Sequence, residues 1–284
     1  MKREHKDEMK RRARNICLIV AYDGTDYHGF QRQTRPVVAV QNVLEESLSR
    51  VFGDTVELAA AGRTDAGVHA AGQVVNFFTD GTIPVERVPR AVNSLLPPDI
   101  VVCRAFEADR EFSALHSAKE KMYCYRILTG ETPNPFLCRY AWHIRQPLDT
   151  SVMESALASL LGTHDFSSFR ASGGAPISPI RTMARAECRR DGRELMFTFV
   201  ADGFLYHMVR NIVGTLADVG RGVFSPEDFL SILAAKDRRC ASATAPASGL
   251  CLVRVNYDAS WYAAENDVWI YGGNGAKALK QLEV

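Results

Sequence analysis

Residues 60–70 read AAGRTDAGVHA and set a guanidinium, Arg63, two positions from a carboxylate, Asp65. Glycines at 62 and 67, with alanines beyond, let the backbone turn sharply and let a bulky ligand come close. The result is an oppositely charged pair where a ligand can approach. Taken alone, an Arg-x-Asp pair reads as a surface turn whose Asp caps a nearby amide. The whole stretch is more specific than a generic turn, so the elements around it matter.

Residues 16–22, ICLIVAY, predict a strand that stops at the turn signal DGTD. Val40, Val43, Leu44, Leu48 and Val51 recur at helical spacing and predict a helix over 40–52 ending at Gly53. Strands are expected at 72–79 and 99–107, with a helix at 85–96 carrying Pro89 in its first turn. The pattern then restarts. Residues 121–128 read as a strand with Tyr123, Tyr125 and Ile127 on one face. A helix over 150–161 takes Thr150 as N-cap and Gly162 as its stop. Two strands around DG at 191–192 form a hairpin. Residues 203–220 carry an apolar stripe from Leu205 to Val219, with Arg210 at its flank and His207 and Asn211 further round. Ser225, Pro226 and Asp228 open a helix with a capping box, and 249–257 closes with a strand.

Strands do not alternate singly with helices, so the expected class is α+β, in two α/β halves. The division reads as a basic tail at 1–15, an N-terminal half at 16–110, a C-terminal half at 111–258 and an extension at 259–284. VWIYGG within that extension is a candidate edge strand. Residues 171–180, ASGGAPISPI, form a Gly/Ser/Pro-rich loop between Arg170 and Arg181.

Composition narrows the classes. At 284 residues and 46% hydrophobic, the chain is long enough for a real core. No apolar run nears the ~20 residues that span a bilayer, and the charged start is not a secretory signal. Seven scattered cysteines without C-x-x-C argue for a reducing cytoplasm and against a disulfide framework. No histidine spacing suits a structural zinc site, so no metal is expected. The net charge of +1 hides +4 on residues 1–16 and −3 on the remainder. A polyanionic partner therefore calls for a local basic cleft.

Seven blocks, in order, resemble the tRNA pseudouridine synthases that modify the anticodon arm: YDGTDYHGFQRQ (22–33), GRTDAGVHA (62–70), FSALHSAKEKMYCYRI (112–127), DFSSFR (165–170), FLYHMVRNIVG (204–214), LAAKDR (233–238) and GLCLV (249–253). The resemblance covers roughly residues 16–258. It implies the pseudouridine synthase fold: two α/β halves with one mainly antiparallel sheet under a central cleft. It implies a homodimer acting on tRNA positions 38–40, with no cofactor, because the reaction neither gains nor loses atoms.

The resemblance makes Asp65 the catalytic carboxylate. It attacks C1′ of the ribose or abstracts the C2′ proton, and sequence leaves both routes open. Arg210 is the implied charge partner of Asp65. Arg63 fills the space left by the flipped base, Tyr123 stacks on that base, and Leu250 covers its other side. Read without the family, Tyr123 and Leu250 are core residues, and Arg210 is a surface or capping arginine. His69 invites a general-base reading, but the family chemistry does not use it, so a structural hydrogen bond is expected. Asp23, Asp26, His164 and Asp165 read as turn and cap residues. His28 and Phe30 stand where the family often carries an aromatic and a tryptophan. Two rival readings predict different products: an RNA-binding module makes none, and an aspartate-dependent nucleoside hydrolase releases free uracil.

Overall fold

The computed structural model describes residues 12–34, 36–174 and 176–258. The tail at 1–11 and the extension at 259–284, with its VWIYGG segment, lie outside the described residues. In chain order the elements are β1 (Arg14–Tyr22), α1 (Val40–Phe52), β2 (Ala59–Ala60), β3 (His69–Thr79), α2 (Val88–Asn93), β4 (Ile100–Ala108), β5 (Ala118–Thr129), β6 (Trp142–Ile144), α3 (Thr150–Ala158), β7 (Gly162–Asp165), β8 (Ile180–Asp191), β9 (Glu194–Ala201), α4 (Met208–Gly220), α5 (Pro226–Ala235) and β10 (Leu250–Tyr257). The class is α+β; β1 pairs with β3 and β4, β2 with β3, β5 with β9, and β8 with β7 and β9, all antiparallel, and β6 makes a short parallel match to β5.

The described residues divide into two compact units, 12–119 with 252–258 and 120–251. The chain passes between them inside β5 and again inside β10. The expected division fell at 110/111 and kept all of 111–258 together. In the structure, residues 111–119 and most of β10 belong to the first unit.

In the first unit the strands run β4-β1-β3-β10, with β2 beside β3. β1 is hydrogen-bonded on both edges and buried along most of its length. α1 buries Val40, Leu44 and Leu48 of its predicted stripe, leaves Val43 and Val51 half-buried and adds Phe52, and it ends on Gly53 in the left-handed region, whose N–H donates to Ser49 O. A buried amide pair ties the next connection to the sheet. Asn76 donates to Asn15 at 2.9 Å, Asn15 donates to Asp109 O and Phe112 O, and Ala114 N–H donates to Asn76. The helix expected over 85–96 is shorter. A 3₁₀ turn at Val85–Arg87 leads into α2, with Pro89 in its first turn.

In the second unit the order is β5-β9-β8-β7. β8 and β9 form the predicted hairpin, but Asp191 pairs with Glu194, so the turn is Gly192 and Arg193, one residue later than the expected DG at 191–192. α5 has the predicted capping box, with Ser225 Oγ taking the Asp228 N–H and Asp228 taking the Ser225 N–H. The cap of α3 is Asp149, whose carboxylate accepts from Ser151 N–H at 2.9 Å, in place of the expected Thr150. Gly162 does not stop that helix, which ends at Ala158. It opens β7 with φ +94°. α4 begins at Met208, so Leu205 is buried just ahead of the helix that its spacing suggested.

Candidate active site

Between β2 and β3 the GRTDAGV loop is fastened at nearly every residue. Ala61 N–H donates to Val74 O at 2.8 Å, and Gln73 donates to Gly62 O at 2.8 Å. Phe30 N–H reaches Thr64 O at 3.0 Å, and the Tyr22 hydroxyl meets Thr64 Oγ1 at 2.7 Å. A tight turn follows, in which Val68 N–H donates to Asp65 O at 3.1 Å and Gly67 takes φ +77°. Thr64 is buried, Arg63 is exposed and Asp65 is intermediate. The spacing of the charged pair now has a cause. The threonine between the two charges anchors the loop and leaves both at its accessible side.

The 22–30 block is the backing of this loop. A Cβ at Gly24 would lie 2.0 Å from Val68 O, and one at Gly29, where φ is +84°, would lie 2.7 Å from Thr64 O. Two motifs far apart in sequence are therefore one layered structure, in contact at positions where only glycine fits. Tyr27 adds a strut, its hydroxyl donating to Asp99 at 2.8 Å. Burial and the bonded, negatively charged Asp99 raise the pKa of that phenol.

His69 is buried, and its Nδ1 lies 3.1 Å from Gly24 N and 3.1 Å from Asp23 Oδ1. Both contacts fall on Nδ1 and tie the ring to the turn at 23 and 24, a structural position. Asp23 takes the Thr25 N–H at 2.9 Å and the Thr25 hydroxyl. Asp165 takes the Ser167 N–H and hydroxyl in the same way. Both are turn residues, as their contexts predict.

In the second unit Tyr123 and Tyr125 stand two apart on β5. Tyr123 is buried with its ring edge-on to Phe204, centroids 4.9 Å apart. Tyr125 is fully buried, and its hydroxyl donates to Pro246 O at 2.8 Å. A Cβ on Gly249 would lie 2.5 Å from the Tyr125 ring. Arg210 and the same connection hold each other from both directions. Arg210 Nε donates to Ala245 O at 2.8 Å, and Ala245 N–H donates to Arg210 O at 3.1 Å. Residues 245–250 thus link Arg210, Tyr125 and Leu250, the last of which is buried at the start of β10.

Sequence reasoning placed Asn211 away from the apolar stripe and gave it no role, yet it is the polar hub of α4. It is fully buried, donates to Phe169 O at 2.8 Å, and accepts from Arg238 at 3.0 Å and Thr244 at 2.6 Å. These bonds fix the connection that leads to Arg210's partner Ala245. The available signal was an amide within a run of apolar helix residues. Phe204 was also passed over. Among the described residues, no group of three or more His, Cys, Asp or Glu side chains is placed to hold a metal ion.

The loop and its glycine-backed support coincide with a family model described as tRNA pseudouridine synthase, which matches residues 18–114 and 156–258. The chain belongs to that family. Its relatives include proteins named tRNA pseudouridine synthase A. One from Thermoanaerobacter sp. is 46% identical over 86% of this chain and 100% of its own length. One from Moorella thermoacetica is 48% identical over 85% and 99%. One from Halalkalibacterium halodurans is 46% identical over 86% and 92%. The family match includes the loop with Arg63 and Asp65, the helix with Arg210 and the strand with Leu250. Tyr123 falls between the two matched stretches.

Proposed function

We propose that this pseudouridine synthase isomerises uridine at positions 38–40 in the anticodon stem-loop of tRNA, with Asp65 as the catalytic carboxylate. The observation that carries this reading is the anchored Arg63-Thr64-Asp65 loop. Its backbone is bonded on both sides, so a carboxylate there is held in place before substrate arrives, which favours reaction over mere binding.

The chemistry is a rearrangement within one nucleotide. The bond from N1 of uracil to C1′ breaks, the base turns, C5 bonds to C1′, and the C5 proton is lost as N1 gains one. Asp65 assists departure of the base either by attacking C1′ or by removing the C2′ proton. The target base must leave its stack, at a cost of a few kcal/mol. Arg63 supplies a planar, hydrogen-bonding group to occupy the gap. Tyr123 offers a ring for stacking, Leu250 covers the opposite face of the base, and Arg210 is the charge partner of Asp65. Residues 16–110 contribute the loop and 111–258 the base-binding residues.

The family resemblance supports a homodimer in which one tRNA touches both subunits, and the cytoplasm as the place of work. Among the described residues no helix is long and apolar enough to cross a membrane. Sedimentation at micromolar concentration checks the dimer, which requires twice the 31.4 kDa chain mass.

The test of the activity is Asp65→Asn, which keeps the shape of the side chain and removes its charge. The variant binds tRNA nearly as the wild type does and forms no detectable pseudouridine. Substantial residual conversion would remove Asp65 from its role. Release of free uracil by the wild type would instead identify a hydrolase, and binding without any product would identify an RNA-binding module.

A further inference from the structure

Two cations of the second unit stand together without an acidic partner. Lys121 on β5 is opposite Ala201 on β9, and Ala201 is opposite Met183 on β8, two residues from Arg181. Arg181 curls back on the chain at the start of its strand, where Nη1 donates to Ser178 O at 2.8 Å and to Ile180 O at 2.5 Å. Its Nε would lie 3.2 Å from a Cβ on Gly203. Among the described residues, neither Lys121 nor Arg181 pairs with a carboxylate. Asp202, beside Ala201, spends an oxygen on the Thr182 N–H at 3.0 Å.

This arrangement is costly for the protein alone. Burial, and next the Arg181 guanidinium, lower the pKa of the Lys121 ammonium. Like charges drawn together and away from water destabilise the fold unless an anion enters between them. Their position says which anion. Lys121 shares a strand face with Tyr123, about 6.8 Å along the strand. Tyr123 touches Phe204, and Phe204 follows Gly203, the neighbour of Arg181. Both cations border the residue assigned to the flipped base. Tyr206, two residues further on, is 42% exposed and lies against the His207 ring at 3.9 Å.

We propose that Lys121 and Arg181 seat a backbone phosphate of the substrate RNA, the one adjoining the nucleotide that Tyr123 holds. The inference rests on the reading of this chain as a pseudouridine synthase and adds a residue-level phosphate contact to it. Arg181 contributes directed N–H donors, and Lys121 contributes a compact charge.

The experiment measures tRNA binding across a salt series for the wild type, Lys121→Gln, Arg181→Gln and Lys121→Arg. The tRNA is used intact and with a single uncharged methylphosphonate linkage on either side of the target uridine. Each Gln variant binds about tenfold more weakly and loses roughly 0.7–0.9 from the slope of log K against log salt. Lys121→Arg keeps the wild-type slope. One uncharged linkage weakens the wild type and weakens each Gln variant less, since each keeps one of the two cations. A thermal melt of Lys121→Gln stays at or above the wild-type midpoint, which separates this outcome from misfolding. An unchanged slope in both Gln variants, or equal sensitivity of variant and wild type to the uncharged linkages, overturns the phosphate seat. Failure of the broader reading shows differently, as a wild type that makes no pseudouridine in any tRNA. The binding measurements test the seat in that case too.

Discussion

Tyr123 and Tyr125 are chemically identical and two residues apart, yet their surroundings separate them. Tyr125 has a full set of partners: its ring is enclosed and its hydroxyl bonds to Pro246. Tyr125→Phe leaves the Pro246 carbonyl without that donor and lowers stability by about 1 kcal/mol. It is thus not the silent control that a plain core residue provides, because the connection it ties leads to Leu250. Tyr123→Phe keeps the stacking face and removes only the hydroxyl. Its single-turnover rate at saturating enzyme therefore reports what the O–H contributes, while binding stays near wild type. Tyr123→Ala abolishes nearly all turnover. Because Tyr123 is 7% exposed and packed on Phe204, it also lowers the melting midpoint, by about 3–5 kcal/mol in stability. Full activity in Tyr123→Ala would show that another group holds the base.

At the scale of elements, the signature loop is only as well placed as the segment behind it. Gly24→Ala forces a Cβ to within 2.0 Å of Val68 O, a backbone atom that cannot swing aside. The loop must shift, and a displacement near 1 Å costs on the order of 10²-fold in rate. The variant therefore loses kcat far more than tRNA affinity, although Gly24 is given no part in the chemistry. Equal loss of both would assign the glycine to binding.

A second element has a pH signature. Asp237 starts the 3₁₀ turn at Arg238–Cys240, where hydrogen bonds from the Arg239 side chain and then its backbone N–H lower its pKa to about 2. A folded-state pKa below the unfolded one means that the contribution is present above the ordinary carboxylate value. It is lost as pH falls from about 4 to about 2. Replacing Asp237 with Asn removes that part of the acid dependence in a melt series and leaves the neutral-pH curve shape intact.

The elements also show what sequence could reveal. Periodicity placed α1 to the residue, and the capping residues placed the start of α5, because each follows from local chemistry. Local chemistry misled at α3, where Asp149 and Thr150 are both competent caps and only the fold decides. The stripe from Leu205 overshot the start of α4, because a buried leucine looks the same in a helix and just before one. The site was legible mainly as motifs. The reason for the motifs was not legible: Gly24 and Gly29 serve a loop some 40 residues away, and a one-dimensional pattern carries no sign of that contact.

At the scale of the whole molecule, a net charge of +1 gives no hint of a polyanionic substrate. Affinity for tRNA must come from where the cations sit. If several phosphates are neutralised, log K falls by roughly 0.7–0.9 per contact for each unit of log salt. A titration between low and physiological salt checks this, and a flat binding constant would show that no basic cleft operates. The phosphate seat at Lys121 and Arg181 accounts for one such contact, so the full slope must exceed the change in either single variant.

The division of the chain has a consequence for how the protein is made. Unit one comes first in the chain, but its sheet includes β10, whose last residue follows the first boundary by 138 positions. At about 5–20 residues per second, a ribosome needs roughly 7–28 s to cover that distance. Throughout that interval the GRTDAGV loop already exists, while β3 still lacks the strand that meets Gly72 at Val253. Unit two, drawn from one continuous stretch, can mature while still attached. The unit that bears the GRTDAGV loop starts first and finishes last, so a nascent or prematurely ended chain carries the signature without a completed sheet beneath it.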